Sequence, residues 1–308
     1  MKVPMTSKRV ILAGGSGFLG KSLACELAAK GYAITVLTRQ PGPDSVSANQ
    51  VAWDGKSLGD WASLLDGAET VVNLTGKSVN CRYTQANRKE IIESRVDSVN
   101  VIGQAISRCA VPPKSWVQAG SLAIYGDAGD RICDESAPPG EGFPVETCLL
   151  WEQAFNSINT PHTRKVFLRI GFALGPDGGA LETLSHLTKA FLGGAVGSGR
   201  QYISWLHNHD LNQLFLASIE RADIDGVFNA TGPNPVTNSE FMRELRRVIG
   251  RPWSPPAPAW AVRLGAALIG TEGELALTGR RCVPTRWLEK GFEFKYHALD
   301  DALRDAIT

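Results

Sequence analysis

Two stretches of this 308-residue sequence combine residue types and spacings suited to chemistry. The first is AGGSGFLG, residues 13–20, which follows the short apolar run Val10–Ala13 and opens a segment, Lys21–Lys30, with Leu23, Ala24, Leu27 and Ala28 at helical spacing. Glycines between a strand and a helix let the backbone turn tightly and approach a pyrophosphate, whose charge the helix N-terminus stabilises. Gly14, Gly15, Ser16, Gly17, Phe18, Leu19 and Gly20 are therefore candidate cofactor contacts. Two registers coexist: GxGxxG from Gly15, Gly17 and Gly20, and GxxGxxG from Gly14, Gly17 and Gly20. A turn that binds nothing is the competing reading, and the strand–turn–helix context disfavours it. Gly15 to Ser22 also has the GxxxxGKS spacing of a P-loop, a reading set aside in favour of the dinucleotide fingerprint. The end of the next strand reads VLTRQP, with Thr38 and Arg39 and no acid before Asp44. An NAD site usually has Asp or Glu there to accept from the ribose 2′-OH, whereas an Arg pairs with a 2′-phosphate. NADP is the expected cofactor, against the alternative of Arg39 as a solvated loop cation.

The second stretch is SWLHNHDL, residues 204–211, where His207, His209 and Asp210 invite a metal reading. No further ligand cluster supports it, so no metal is expected. Just upstream, Arg200 and Gln201 follow a GSG loop and are placed to meet a polar or phosphorylated substrate.

The elements that must position these groups alternate regularly. Strand signals at Ala33–Thr38, Thr70–Leu74, Ser115–Gln118 and Arg164–Leu174 are interleaved with helical ones. The longest helix, about Gln85–Ala110, carries Ile91, Ile92, Val96, Val99, Ile102 and Ile106 along one side. Repeated β–helix–β with continuous apolar strands predicts an α/β fold, a Rossmann-type doubly wound parallel sheet covered on both faces. It should occupy residues 1–175, with one more strand returning at Gly226–Ala230. Residues 176–308 then form mainly a smaller, partly discontinuous substrate lobe. In that lobe Thr237 and Glu240 have capping-box spacing, and the proline cluster RPWSPPAPAW, residues 251–260, marks a linker into a small terminal piece at about 255–305.

The totals exclude several classes of function. Net charge is +1, so no nucleic-acid footprint and no anionic membrane surface is indicated. Hydrophobic residues make up 43% and charged residues 20%, enough apolar content for a real core. The N-terminal run is too short for a signal peptide or a span, and WAVRLGAALIG, carrying Arg263, is at most an amphipathic helix. Six cysteines lie scattered with no CxxC pair, as in a reduced, cytoplasmic protein.

The glycine cluster, VNLTG at 72–76, SLAIYG at 121–126, Trp151–Glu152 and SWLHNHDL occur in order. Together they resemble the extended short-chain dehydrogenase/reductases, and more narrowly their atypical epimerase-like branch (the SDR39U / YfcH type) of the NAD-dependent epimerase/dehydratase superfamily. The resemblance covers nearly the whole chain, including PPAPAWAVRLG…PTRWLEKGFEF, similar to that branch's terminal domain. It implies NADP on the sheet, with a smaller C-terminal lobe closing over the substrate, a nucleotide-sugar-like or other small carbonyl or hydroxyl compound. By matching motif, Leu74, Thr75 and Gly76 would line the cofactor, Glu90 and Arg95 would touch it, and Ala173 would lie near the nicotinamide. Trp205 and His207 are candidates to line the substrate pocket, with ordinary core packing the stronger competing reading for Trp205. Family analogy alone points to a homodimer.

The same resemblance exposes a gap. Related reductases use Ser with Tyr-x-x-x-Lys on a helix, so that Lys lowers the Tyr pKa and Tyr exchanges a proton with substrate. In FPVETCLLWEQAF, residues 143–155, those positions hold Pro144 and Cys148, and no Tyr lies between Tyr125 and Tyr202. The implied catalytic candidates are Ser121, in the place of the family's Ser, and Tyr125, the nearest phenol. Glu135 is a further acid, and Cys148 reads as a small buried residue. Two readings follow: an NADP-dependent oxidoreductase or epimerase without the usual dyad, or a non-catalytic, NADP-binding, redox-responsive regulator.

Overall fold

The computed structural model describes residues 8–42, 48–176 and 178–307. The strands are β1 (Arg9–Ala13), β2 (Ala33–Thr38), β3 (Asn49–Ala52), β4 (Thr70–Asn73), β5 (Ser115–Ser121), β6 (Ile132–Cys133), β7 (Arg164–Ile170), β8 (Phe172–Leu174), β9 (Tyr202–Ile203), β10 (Trp205–His207), β11 (Gly226–Ala230), β12 (Val236–Thr237) and β13 (Arg281–Cys282). The helices are α1 (Phe18–Ala29), α2 (Gln85–Ile106), α3 (Phe143–Ser157), α4 (Gly179–Lys189), α5 (Asn208–Glu220), α6 (Asn238–Ile249), α7 (Ala259–Ile269), α8 (Glu274–Leu277), α9 (Thr285–Glu289) and α10 (Leu299–Ile307).

Seven strands form one parallel sheet in the order β3-β2-β1-β4-β5-β7-β11. This is the Rossmann arrangement, in which the chain winds outward both ways from β1 and β4. Each face is closed by apolar side chains. Leu23 and Leu27 of α1 join Leu214 and Phe215 of α5 on one face, with Trp287 and Phe294 from the C-terminal segment. Val99 and Ile102 of α2 and Trp151 and Phe155 of α3 cover the other. The uninterrupted apolar runs of β1 and β4 follow from this two-sided burial.

A second lobe has its own core, where Leu181 of α4, Phe241 and Leu245 of α6 and Leu303 of α10 meet. The Thr237–Glu240 capping box is present: the Thr237 hydroxyl accepts from Glu240 N, and the Glu240 carboxylate accepts from Thr237 N at 2.9 Å.

Several element boundaries differ from the sequence expectation; α1 already starts at Phe18, and β5 runs on to Ser121. The Arg164–Leu174 run is two strands, β7 in the main sheet and β8 paired with β10. The break falls at Gly171, where a Cβ would come within 2.5 Å of the Ser204 carbonyl, so the second lobe crosses the chain there. The long helix ends at Ile106 instead of Ala110. Strand β3, a half-exposed edge strand reading NQVA, has too few apolar residues to register as a strand in sequence.

Candidate functional site: the carboxyl edge of the sheet

Strand order reverses between β1 and β4, and in such sheets the ligand crevice lies outside the carboxyl ends of these strands. Gly14 follows β1 with φ of 73°, a left-handed conformation that favours glycine, and a Cβ there would press on Thr75 at 3.0 Å. A Cβ on Gly20 would meet the Gly15 backbone at 2.5 Å, so α1 packs directly on the loop. Gly17 is the α1 N-cap; nothing lies closer than 4.0 Å to its missing Cβ, and no side chain caps the helix. The first N–H groups of α1 thus point into open space, as an anion site requires. Ser16 and Gly17 are exposed, and Leu19 is partly buried. Phe18 turns the other way and packs under Gly175 and Gly178.

At the end of β2 the Thr38 hydroxyl donates to Ser16 Oγ at 3.2 Å. Arg39 is exposed, with no hydrogen bond or ion pair among the described residues. Asp44, the first acid after it, lies outside the described residues. After β4, a buried amide network shapes the loop. Asn73 Nδ2 donates to Gln118 Oε1 at 2.9 Å and to Ser98 Oγ at 3.1 Å, while Asn73 Oδ1 accepts from Thr75 N at 3.0 Å. The Thr75 hydroxyl is buried without a partner among the described residues and abuts Gly14. Leu74 packs against the sheet core, and Gly76 is exposed and faces the Arg95 guanidinium, 3.1 Å from where its Cβ would be. Arg95 donates to the Lys77 and Ile91 carbonyls and stacks on Trp151 at 5.0 Å. Glu90 is exposed and pairs with Lys77. An orphaned hydroxyl, an uncapped helix and an uncommitted Arg39 fit a phosphorylated dinucleotide.

Where β5 ends, Ser121 is half-buried; its Oγ accepts from Ala123 N at 3.1 Å, and its own proton is uncommitted among the described residues. Cys148, in the first turns of α3, lies against it, with Sγ 3.9 Å from the Ser121 carbonyl. Burial, followed by the nearby Glu152 charge, pushes this thiol up to about 12, so it is neutral. Pro144 occupies the first turn of α3, where a missing N–H costs nothing.

Tyr125 does not open onto the crevice. It is 1% exposed, and its oxygen accepts from Arg169 NH1 at 2.7 Å. The Asp134 carbonyl and Asn229 Oδ1, each at 2.8 Å, share its one proton. Burial dominates and pushes the phenol up to about 12, although Arg169 beside it acts in the opposite direction. It is therefore placed as a strut between β5, β7 and β11. Glu135 accepts from the backbone N–H of Asn229 and of Arg286, and burial raises its pKa.

Other candidates are dispersed. Ala173 sits half-buried in β8, on the second-lobe side of Gly171. Trp205 is 1% exposed and belongs to the second-lobe core. His207 caps α5: its Nδ1 accepts from His209 N at 3.1 Å, its ring stacks on Tyr296 at 4.0 Å, and its Nε2 faces Asp305 at 3.2 Å. Asp210 accepts from Lys295 N and Tyr296 N, so SWLHNHDL holds down the C-terminal segment. Arg200 is exposed, while Gln201 bridges the Val196 and Ala276 carbonyls. Sequence reasoning missed Asn73, Gln118, Asn229 and Arg280. For the first three, an Asn or Gln within an otherwise apolar strand run is a signal that could have found them.

Sheet order, glycine loop and crevice define a Rossmann-type dinucleotide-binding protein. Residues 10–231 match the NAD dependent epimerase/dehydratase family, and residues 257–306 match a domain of unknown function, DUF1731. The chain belongs to that epimerase/dehydratase family. It is 34% identical over 300 residues to the Arabidopsis thaliana protein "Epimerase family protein SDR39U1 homolog, chloroplastic", covering 96% of this chain and 85% of that one. The structure of human SDR39U1 (isoform 2) with NADPH superposes with a TM-score of 0.87 at 30% identity, covering 97% of this chain and 98% of that one. A nucleoside-diphosphate sugar epimerase from Corynebacterium glutamicum gives 0.79 at 27% identity, over 98% of this chain and 58% of that one. Among the described residues no helix is long and apolar enough to cross a membrane.

Proposed function

We propose that this chain is an NADP-dependent oxidoreductase or epimerase-like enzyme, acting on a small carbonyl or hydroxyl compound such as a nucleotide sugar, without a Tyr-x-x-x-Lys dyad. The observation that carries the cofactor reading is the uncapped α1 N-terminus over Gly17, flanked by Thr38 and an uncommitted Arg39. The NADPH named for the human relative supports it. Gly14 to Gly20 would hold the pyrophosphate, Arg39 the 2′-phosphate, and Thr75, Gly76 and Arg95 the nicotinamide half. Bound there, NADP supplies hydride exchange at its nicotinamide ring. Ser121 would donate its free proton to a substrate oxygen. Rossmann residues 1–175 would bind the cofactor and 176–308 would close over the substrate, the 255–305 piece included.

The second reading, a non-catalytic NADP-binding regulator, is favoured by one observation. Pro144, a neutral Cys148 and a fully engaged Tyr125 leave no ordinary proton donor at the dyad position. General acid/base catalysis contributes roughly 10²–10⁴-fold, so its loss slows turnover without forbidding it. Six free cysteines support a cytoplasmic setting, and a homodimer is the proposed assembly by family analogy.

Fluorescence titration of the protein with NADPH and NADH, alongside Arg39→Ala, tests the cofactor reading. Tight NADPH binding, weakened about tenfold or more in Arg39→Ala, with NADH weak throughout, is expected. Equal binding of NADH and NADPH, indifferent to Arg39, would overturn it. NADPH oxidation across a panel of carbonyl compounds, lost in Ser121→Ala, separates enzyme from regulator.

A further inference from the structure

Arg280 is the one guanidinium at the dyad end of the crevice that this fold leaves without a partner among the described residues. The segment carrying it is clamped on both sides. Gly279 N donates to Asp127 Oδ1 at 3.0 Å, Arg280 N donates to the Tyr202 carbonyl at 3.1 Å, and the Arg280 carbonyl accepts from Ser204 Oγ at 2.7 Å. Strand β13 then pairs in register with β6, Cys282 opposite Cys133. Alternation along an extended segment decides where side chains go. Arg281 stacks on the Tyr202 ring at 5.1 Å, while Cys282 points inward to the cluster of Cys133, Cys148 and Tyr125. Arg280 shares the inward side with Cys282, and its charge acts on the thiols of Cys282, Cys148 and Cys133.

No hydrogen bond from its side chain and no ion pair is present among the described residues. Asp127, whose charge reaches it, forms no ion pair with it and accepts the Gly279 N–H instead. Arg169, by contrast, is neutralised by Glu152. Arg280 is only partly exposed, so it opens to solvent on one side while burial disfavours its charge on the other. Arg95 also acts on Cys148 and, while donating to the Lys77 and Ile91 carbonyls, also has no carboxylate partner among the described residues. The Cys148 thiol is thus neutral and within reach of two guanidinium groups that have no carboxylate partner among the described residues. Holding an unpaired cation in such a place is unfavourable unless a ligand supplies the counter-charge.

We infer that Arg280 anchors the substrate of this crevice through an oxyanion group, a carboxylate or a phosphate, held beside Ser121 and Cys148. The inference rests on the reading of this crevice as the catalytic one, and it narrows the substrate class to anionic compounds. The guanidinium fork fits either group with two parallel N–H···O bonds. It also places a fixed positive charge where the absent lysine would have stood. Unlike lysine, it stays charged at every working pH and does not exchange a proton.

Calorimetric titration of the protein, with and without saturating NADPH, with malonate and separately with inorganic phosphate tests this. Arg280→Gln is the variant, and Arg281→Gln, on the outward side, is the control. At least one anion should bind the wild type and Arg281→Gln and weaken about tenfold or more in Arg280→Gln, with NADPH affinity unchanged. Preference for malonate assigns a carboxylate substrate, preference for phosphate a phosphorylated one. No binding of either anion, equal binding by Arg280→Gln, or loss of NADPH together with the anion would each overturn the inference. Arg280-dependent anion binding in a protein that does not take NADPH would uphold it and sink the cofactor reading instead.

Discussion

Arg169 and Glu152 form a two-point ion pair, Nε to Oε1 at 2.8 Å and NH2 to Oε2 at 2.9 Å, that ties β7 to α3 beneath the crevice. Both side chains are nearly buried, and Arg169 donates from NH1 to the Tyr125 oxygen and to the Glu135 carbonyl. The pair thereby holds the helix that carries Cys148 at a set distance from the strand that ends at Ser121. Replacing Glu152 with Gln keeps the shape and leaves a buried guanidinium uncompensated. A loss of about 3 kcal/mol is expected, read from the urea midpoint. An unchanged midpoint would mean that water reaches and solvates this arginine.

Gly20→Ala should damage the cofactor loop more than its size suggests. A methyl there would overlap the Gly15 backbone at 2.5 Å, so α1 and the loop must separate. A cost of about 1–3 kcal/mol in stability is expected, together with weakened NADPH binding. Gly17→Ala meets open space in the protein alone, so it should fold normally and lose NADPH affinity only. Titration and thermal melts of the two variants side by side distinguish these outcomes.

Cys148→Lys, which restores the cation of the usual dyad, should destabilise the protein. The new charge would sit in a nearly buried site already flanked by Arg95 and Arg280. An unpaired charge placed there costs about several kcal/mol, whereas Cys148→Ala should cost about 1 kcal/mol or less. A lysine variant as stable as the wild type would show that the two arginines do not fill the role of the missing cation.

His207 makes stability depend on pH in a defined direction. Burial holds its pKa below the usual histidine value, against the pull of Asp305 and Asp210. The unfolded chain therefore takes up a proton first as pH falls through the ordinary histidine value. The stabilisation from the neutral ring is complete above that pH and is lost progressively toward the folded value. Thermal melts from pH 7.5 to 5.5 should fall more steeply for the wild type than for His207→Asn, whose amide can keep the α5 cap. Parallel slopes would remove His207 from the account.

Much of the fold was legible because local rules and the tertiary outcome agree. Continuous apolar runs such as VILA and AITVLT have only one comfortable place, inside a parallel sheet covered on both sides. Glycines that punctuate a strand and a helix mark the turn, and Gly14 and Gly20 are needed there for conformation and for close approach. The loss of the Tyr and Lys was equally plain, since no distant contact turns Pro144 or Cys148 into a phenol or an amine.

Which of the remaining polar residues face the crevice was decided only by packing. Tyr125 and His207 carry reactive groups in sequence, yet Arg169 and Asn229 consume the phenol, and the start of α5 and Tyr296 consume the imidazole. Arg280 lies more than 100 residues from Cys148 in an unremarkable run, TGRRCV. Its neighbour Arg281 is chemically identical, and the pairing of β13 with β6 sends one inward and the other onto Tyr202. Residue type and spacing set what a side chain can do, while the desolvation and hydrogen-bonding partners that select its role come from segments distant in the chain.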